Sequence, residues 1–115
     1  MNRQEIIDFC LGLPEVYEDY PFDNIADPGA WTVMRHRKNK KSFALIYERL
    51  GRLCVNLKCN PAEADFLRQV FMDVSPAYHM NKVHWNTVAV GGDVPDEELM
   101  LMIEGSYGLI KPKRR

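Results

Sequence analysis

Apolar residues recur at helical spacing near the start of the chain, and a segment rich in proline and acidic residues follows. The spacing predicts a helix over residues 3–13, with Asn2 placed to cap its first turn and Pro14 placed to end it. Residues 15–29 hold two further prolines and five acidic residues. We therefore predict a loop there, with one short edge strand over residues 22–26.

Alternation of apolar and polar residues at a two-residue period predicts three consecutive strands. They span residues 31–37, 42–49 and 52–58. The link between the first two strands is residues 38–41, and the next link is built on Leu50-Gly51. Because both links are short, neighbouring strands should be antiparallel and should form a meander.

Two more helix starts follow the meander. Asn60 is placed to cap a helix and Pro61 suits its first position, so we predict a second helix that runs to about Phe71. Three consecutive carboxylates after Pro95 favour the positive end of a helix dipole. They predict a third helix, which we expect Gly108 to end.

One more strand is predicted between these helices, over residues 85–90, after the turn-rich residues 74–83. The resulting order is helix, three-strand meander, helix, strand, helix. This order is typical of the α+β class, in which an antiparallel sheet carries its helices on one face. At 115 residues the chain has the length of one domain, so we expect a single domain over residues 1–115 with a basic tail at 111–115.

Composition narrows the class of protein. Hydrophobic residues make up 46% of the chain and charged residues 27%, as in ordinary soluble proteins. Charge interrupts the apolar runs well before bilayer length, and the first residues are too polar for a secretory signal. The three cysteines are odd in number and lie in or beside apolar stretches, which favours buried free thiols. We expect a cytoplasmic protein with no membrane partner.

The net charge of -1 conceals a strong segregation of charge. Residues 1–34 carry one basic and seven acidic residues, and residues 35–60 carry eight basic residues and one acidic residue. Residues 61–110 carry two basic and eight acidic residues, and the tail adds four basic ones. A patch of one sign creates a local field that the net charge does not show.

Five basic residues fill and flank the link between the first two strands. Such a run is most commonly a solvated turn. A basic β-hairpin is also the physical form of a wing that rests on nucleic-acid phosphates, and the tail could extend its footprint. The residues predicted to contact nucleic acid are Arg35, Arg37, Lys38, Lys40, Lys41, Lys82 and Lys113.

Residues 78–90 are too polar for a core segment and too apolar for a linker. Their sequence YHMNKVHWNTV, with PDEELMLMIEGSYGLI downstream, resembles the MmcQ/YjbR family of small bacterial proteins. The upstream sequences IIDFCLGLPEVYEDYPF and LCVNLKCNPAEADFLR resemble the family's opening helix and its middle strand and helix. The resemblance implies a CyaY-like two-layer fold whose double-wing arrangement suggests DNA binding. The basic hairpin matches one wing by charge, and residues 78–90 would supply the other.

The residues of the family motifs are Asn81, His84, Trp85, Ser106 and Tyr107. One interpretation is structural: Asn81 takes a left-handed turn position, Trp85 anchors the sheet to a helix, and Tyr107 packs on the sheet. It predicts that both rings are mostly buried, with the Tyr107 hydroxyl bonded near the Asn81 turn. The other interpretation makes Asn81, Lys82 and Trp85 a recognition surface for phosphate or for a partner's backbone.

Histidine and cysteine spacing does not predict a metal site. His79 and His84 are five residues apart with no ligand placed to complete a tetrahedral set, and Cys54 and Cys59 lack the short spacing of structural zinc sites. We expect no metal and no cofactor, and a catalytic role ranks third, after nucleic-acid binding and protein interaction. The frataxin-like side of the resemblance suggests instead a cation-binding acidic ridge, formed by Glu5, Asp8, Glu15, Glu18 and Asp19.

The leading hypothesis from the sequence is non-catalytic DNA binding through the basic hairpin of a monomeric, cytoplasmic bacterial protein. The alternative is a protein-interaction adaptor or chaperone-like module with no nucleic-acid role, which holds a partner on the sheet face or on the dipolar surface. A face shared by the hairpin and tail cations would favour DNA binding, because both groups could then reach one phosphate backbone.

Overall fold

The computed structural model describes residues 1–21, 31–77 and 80–113. Its elements are α1 (Arg3–Leu11), β1 (Val16–Asp19), β2 (Trp31–His36), β3 (Ser42–Arg49), β4 (Arg52–Lys58), α2 (Pro61–Val70), β5 (Val74–Pro76), β6 (Trp85–Ala89) and α3 (Asp96–Ile110). The predicted helices and strands are confirmed, and β1 and β5 are additional. The edge strand predicted over residues 22–26 lies outside the described residues.

The strands of the described chain form one antiparallel sheet in the order β1-β2-β3-β4-β6-β5. The predicted meander is confirmed in β2, β3 and β4, and the predicted later strand, β6, pairs with β4. Arg49 pairs with Arg52 across a two-residue turn, in which Leu50 and Gly51 have positive φ angles of 53° and 77°. Two positive φ angles are typical of a type I′ turn, whose twist matches that of the flanking strands.

The two additional strands, β1 and β5, lie at the edges of this sheet and correct the prediction of loop and turn at their positions. Of the four residues of β1 only Val16 is buried, and β5 has three residues and ends on Pro76. Neither segment has enough buried positions to show a two-residue period. Their strand conformation comes from pairing with β2 and β6, which local sequence does not reveal.

The first two helices begin with the caps that the sequence predicts. The Asn2 Oδ1 accepts a hydrogen bond from the Glu5 amide at 2.8 Å, and the Glu5 carboxylate accepts one from the Asn2 amide at 2.8 Å. This reciprocal pair is a capping box. At α2, the Asn60 Oδ1 accepts a hydrogen bond from the Glu63 amide at 2.9 Å. These bonds satisfy amides that have no partner within the helix.

The third helix does not end at Gly108, contrary to the prediction. It continues to Ile110, and Lys111 is already extended with a ψ angle of 147°. Pro112 explains this end, because the residue before a proline is disfavoured in the helical conformation. In the described part of the chain, no helix is both long enough and apolar enough to cross a membrane.

Replacing Gly108 with alanine should therefore stabilise the protein. The residue lies inside α3, and a Cβ placed there would have no heavy atom within 4 Å apart from its chain neighbours and the backbone of its own helix. Alanine restricts the unfolded chain and favours helix, so we expect the free energy of unfolding to rise by about 0.5–1 kcal/mol. Urea-induced unfolding followed by circular dichroism measures the change. An unchanged or lower free energy would place Gly108 outside a regular helix.

The helices pack against one face of the sheet, which confirms the α+β class. α3 lies over β3 and β4, α1 lies beside β1, and α2 lies beside β5 and β6. Ile46, Val55 and Val88 form a row across three strands and join Ile103 of α3 in the hydrophobic core. A β-bulge between β2 and β3 leaves Phe43 as an extra residue, which enters the same core.

The three cysteines are free and buried, as predicted. Burial raises the pKa of Cys10 to about 12 and that of Cys59 to about 11. Burial also raises the pKa of Cys54, against a smaller opposite effect of Arg52 and Arg49. All three thiols therefore remain protonated near neutral pH, which makes them poor nucleophiles.

Candidate nucleic-acid interface

The turn between β2 and β3 carries the predicted cations and is fixed by its own hydrogen bonds. The His36 amide donates to the Lys41 carbonyl at 3.1 Å, and the Lys40 amide donates to the His36 carbonyl at 2.8 Å. The Lys38 amide donates to the His36 Nδ1 at 3.1 Å. Lys40 closes the turn with a left-handed φ of 61°. The exposed side chains of Arg37, Lys38, Lys40 and Lys41 therefore start from a defined hairpin tip.

Arg35 supports this hairpin from inside the sheet. Its Nε donates to the Asp19 Oδ2 at 2.8 Å, and its Nη1 donates to the Lys40 carbonyl at 3.0 Å. The side chain is half-buried and its charge is offset by Asp19. Of the predicted contact residues, Arg35 is thus the one with a clear structural role in holding the turn.

Asn39 ties the hairpin tip to the C-terminal end of α3. Its Nδ2 donates to the Ile110 carbonyl at 2.7 Å, and its Oδ1 accepts from the Lys41 amide at 3.0 Å. The last carbonyls of a helix have no donor within the helix, so the asparagine amide satisfies one of them. Lys111 and Lys113, which follow Ile110, are exposed. The hairpin and tail cations therefore lie at the same end of the molecule.

We call this surface the basic end, and it comprises Arg37, Lys38, Lys40, Lys41, Lys111 and Lys113. Aromatic rings lie under two of its cations. The Arg37 guanidinium carbon is 6.0 Å from the centroid of the Tyr17 ring, and the Lys111 Nζ is 5.9 Å from that of Tyr107. Such cation–π contacts hold a cation without neutralising it.

Glu15 borders the basic end. The Glu15 carbonyl accepts a hydrogen bond from the Arg37 amide at 2.7 Å. The charge of Glu15 also adds to burial in raising the pKa of Tyr107. The Glu15 charge therefore offsets part of the positive charge that the six cations give this surface.

Lys82, also predicted to contact nucleic acid, lies on a different part of the molecule. It lines a cleft of about 380 Å³ together with Arg49 and Arg52. These arginines flank the turn between β3 and β4, which is at the opposite end of β3 from the hairpin tip. The structure thus separates the predicted cations into the basic end, with Arg35 behind it, and Lys82 at the cleft.

Asn81 holds the turn that leads into β6. Its Oδ1 accepts from the Val83 amide at 2.9 Å, and its carbonyl accepts from the Trp85 amide at 3.0 Å. Asn81 is absent from the residues with positive φ in the described chain, so the predicted left-handed conformation is wrong. An Asx turn explains the asparagine instead, because its side chain replaces a backbone acceptor. His84 is exposed, and residues 78–79 lie outside the described residues.

The aromatic residues of the two motifs are partly or fully removed from solvent, but they contact different elements. Trp85 is half-buried, and Tyr107 is buried against His36 and Phe43, with ring centroids 5.9 and 5.4 Å apart. The Tyr107 hydroxyl donates to the Pro14 carbonyl at 2.6 Å. Its predicted bond near the turn before β6 is therefore wrong, because the last turns of α3 meet the chain that leaves α1.

Ser106 connects α3 to the centre of the sheet. Its fully buried Oγ donates to the Phe43 carbonyl at 2.6 Å and accepts from the Lys58 amide at 2.9 Å. Lys58 is also the residue of β4 that pairs with Trp85 of β6. Lys58 thus connects the two family motifs, which are distant in sequence, because it pairs with Trp85 of the first and bonds to Ser106 of the second.

Arg68 of α2 supports the same region, although no sequence pattern predicts a role for it. Its Nε donates to the Asn86 Oδ1 at 2.6 Å, and its Nη2 donates to the carbonyls of Lys82 and Trp85. The buried Asn86 Nδ2 donates in turn to the Ala64 carbonyl at 3.1 Å. A polar residue inside a strand, such as Asn86, is the one signal in the sequence for this network.

Several of the acidic residues suggested as a cation-binding ridge have other side-chain partners. Glu5 closes the α1 capping box, Glu18 accepts a hydrogen bond from a neighbouring tyrosine, and Asp19 pairs with Arg35. Within the described residues, no three His, Cys, Asp or Glu side chains are grouped so that they could hold a metal ion. The structure therefore gives the ridge hypothesis no support.

Comparison with known sequences identifies related proteins. A family model described as YjbR matches residues 11–109 of the chain. The uncharacterized protein YjbR of Escherichia coli K12 is 31% identical over 93% of this chain and 85% of its own length. The uncharacterized protein YyaQ of Bacillus subtilis strain 168 is 34% identical over 96% of this chain and 99% of its own length.

Solved structures share the fold. The crystal structure of a Pseudomonas syringae protein is 30% identical, covers 96% of this chain and 100% of its own, and superposes with a TM-score of 0.84. That of a Deinococcus radiodurans protein is 32% identical, covers 96% of this chain and 78% of its own, and gives a TM-score of 0.82. The six-stranded sheet and its helices are thus found in related bacterial proteins.

Proposed function

The chain belongs to the YjbR family, and we propose that it is a non-catalytic, cytoplasmic DNA-binding protein that contacts phosphates through the basic end. The observation that carries the proposal is the 2.7 Å hydrogen bond from Asn39 to the Ile110 carbonyl. It joins two groups of cations that are far apart in sequence into one surface. Phosphate binding depends on how many cations reach one backbone, so this juxtaposition raises the expected affinity.

The chemistry of the basic end favours binding with little sequence preference. Its cations are long, exposed side chains on a fixed hairpin and on the chain after α3. They suit phosphate oxygens, which carry no sequence information. The hairpin corresponds to one wing of the double-wing arrangement. Lys82, the cation of the segment expected to form the second wing, is left outside the proposed interface.

The proposal predicts that reversing the hairpin charge abolishes DNA binding without unfolding the protein. We expect a variant with Lys38, Lys40 and Lys41 all replaced by glutamate to show no detectable binding at low salt, because three phosphate contacts become repulsive. Single replacements by glutamine should each reduce the slope of log affinity against log salt by about one unit. Fluorescence anisotropy of labelled duplex and single-stranded DNA over a salt series measures both effects.

A matched control separates the basic end from positive charge in general. The double variant Arg49→Glu, Lys82→Glu changes two exposed cations at the cleft. We expect it to lose only the small amount of DNA affinity that follows from its lower net charge. Equal loss in this control and in the hairpin variant would contradict the proposed interface. Absence of salt-sensitive binding by the natural chain would contradict DNA binding itself.

A protein-interaction role is the second candidate, and an exposed apolar surface favours it. Phe66 and Val70 of α2 and Met72 just after it are 61%, 51% and 92% exposed. Apolar surface that stays in solvent is a common feature of sites for protein partners. A partner that co-purifies equally well with the natural chain and with the hairpin variant would favour this role over DNA binding.

A further inference from the structure

The outward side of α3 carries two leucines that the fold leaves in solvent. Leu101 and Leu109 are 60% and 50% exposed, although the opposite side of this helix is buried in the core. Gly105 stands halfway between them and is exposed as well. Residues four apart along an α-helix form one continuous ridge on its surface. We call this surface the leucine face, and it comprises Leu101, Gly105 and Leu109.

The leucine face is symmetric about Gly105. Leu101 comes four residues before the glycine and Leu109 four residues after it, so each leucine lies about 6 Å from the glycine along the helix axis. A two-fold axis at Gly105 would therefore bring Leu101 of each copy opposite Leu109 of the other. In the two-fold interfaces of homodimers the same surface serves both partners in this way.

Charge extends this symmetry beyond the leucines. Glu97 lies eight residues before Gly105 and Lys113 eight residues after it, and both side chains are exposed. Within the described part of the chain, neither of them forms an ion pair. The axis that pairs the leucines also turns Glu97 of one copy towards Lys113 of the other. An antiparallel pair of helices is thus favoured, because a parallel pair would bring like charges together.

The shape of the leucine face suits the packing of a second helix. Gly105 has no side chain to separate two helices, and ridges of this kind align when the helices cross at about 50°. A cavity of about 110 Å³ opens beside Gly105 and Leu109, between α3 and the start of α2, with Met102 in its wall. The facing Leu101 of a second copy would lie next to this cavity and gain apolar contacts there.

The size of the contact sets the expected affinity. α3 has 15 residues and is therefore about 22 Å long. Two crossing helices of this length bury less than the roughly 1,200 Å² that stable complexes usually need. Glu104, which is exposed beside Gly105, would also lie near its counterpart across the axis, and this like-charge contact weakens the pair further. We therefore expect a dissociation constant of about 0.1–1 mM.

We propose that the chain forms a weak antiparallel homodimer through the leucine face, with Leu101 of each copy against Leu109 of the other and Glu97 facing Lys113. A second copy is the partner because the leucine face and the charges beyond it complement themselves. The proposal departs from the monomer that the sequence led us to expect. It does not depend on DNA binding, although Lys113 also belongs to the basic end.

Sedimentation equilibrium over protein concentrations from about 10 µM to 2 mM tests self-association. The average mass of the natural chain should rise towards that of a dimer. Leu101→Glu and Leu109→Glu should each stay monomeric, because a carboxylate then faces an apolar side chain. Both leucines are exposed, so the fold should not change. Leu50→Glu is the matched control: this leucine is 88% exposed in the turn between β3 and β4, and its variant should dimerise as the natural chain does.

Charge reversal tests the pairing beyond the leucines. Glu97→Lys and Lys113→Glu should each weaken the dimer about tenfold at low salt, because each places like charges opposite one another at two symmetric positions. The variant that carries both reversals should dimerise as tightly as the natural chain, since opposite charges face each other again.

Disulfide cross-linking tests the antiparallel arrangement. Gly105→Cys places a thiol at the two-fold axis, so mild oxidation should link two copies of this variant. Leu101→Cys and Leu109→Cys should each link poorly to themselves, because equivalent positions are about 12 Å apart along the axis, beyond the reach of a disulfide. When mixed, these two variants should link to each other. The three natural thiols are buried and do not compete.

A constant monomer mass over the whole concentration range would overturn the proposal, as would equal loss of dimer in the Leu50→Glu control. Self-linking of Leu101→Cys as efficient as mixed linking would contradict the antiparallel arrangement. A double charge reversal that fails to restore the affinity would contradict the pairing of Glu97 with Lys113. No DNA is present in these measurements, so each result is independent of whether the basic end binds DNA.

Discussion

Replacing Gly92 with alanine is expected to lower the free energy of unfolding by about 1–2 kcal/mol, within the range for an overpacked site. A Cβ at this position would lie 1.5 Å from the Asp73 Oδ2 and 2.6 Å from its Cγ. The Asp73 carboxylate can move away only by giving up the hydrogen bonds that it accepts from the Arg52 Nη1 at 3.1 Å and from the Asp93 amide at 3.0 Å. Urea unfolding curves of the natural chain and the variant measure the difference.

A double-mutant cycle checks the cause of this loss. If the Asp73 carboxylate causes the clash, Gly92→Ala should be much less destabilising when Asp73 is already alanine. An equal effect in both backgrounds would assign the loss to the backbone of residue 92 instead. The same carboxylate has a pKa below its usual range, chiefly because of the Arg52 hydrogen bond. In the Gly92→Ala variant that pKa should move back towards the ordinary value.

Ser106→Ala is expected to destabilise the protein more, by about 3 kcal/mol, although it removes one oxygen atom. The Ser106 Oγ is the partner of the Lys58 amide and of the Phe43 carbonyl, and the serine is fully buried. Its loss leaves the part-buried Lys58 amide and the buried Phe43 carbonyl without this partner, and an unsatisfied buried group costs about 1–3 kcal/mol. The measurement is again the free energy of unfolding in urea.

Gly105→Ala is the control for this substitution. It changes the preceding residue of α3, where an added Cβ would have no heavy atom within 4 Å apart from its chain neighbours and the backbone of its own helix. Helix propensity predicts that this variant is slightly stabilised. Similar stabilities for the two variants would show that the Ser106 hydroxyl is not needed to hold α3 on the sheet.

The meander and the helix starts are predictable from sequence because their signals are local. β3 and β4 are eight and seven residues long and rich in apolar residues, and Asn2 and Asn60 mark helix starts that the structure confirms. The edge strands and the end of α3 are not predictable in this way. β1 and β5 are too short for a period, and Gly108 lies inside a helix that Pro112 ends.

The candidate sites were predictable only in part. The cations of the hairpin form a run in the sequence, so a wing is an evident hypothesis. The hydrogen bond from Asn39 to Ile110 depends on the path of α3 across the sheet. Local sequence does not determine that path, so the bond could not be predicted. The cleft was missed because Arg49, Arg52 and Lys82 come from two segments, and the first two belong to the same basic block as the hairpin. Only the strand register shows that Arg49 and Arg52 lie at the opposite end of β3 from the hairpin tip.

Burial of the three thiols also has a kinetic consequence. Cys10, Cys54 and Cys59 are 0%, 7% and 6% exposed, so an alkylating reagent reaches them mainly when the surrounding structure opens. Cys10 lies on α1, Cys54 on β4, and Cys59 between β4 and α2, so each reports on a different part of the molecule. If opening is cooperative, the three alkylation rates will coincide. Different rates would show which of these parts of the structure unfolds locally most often.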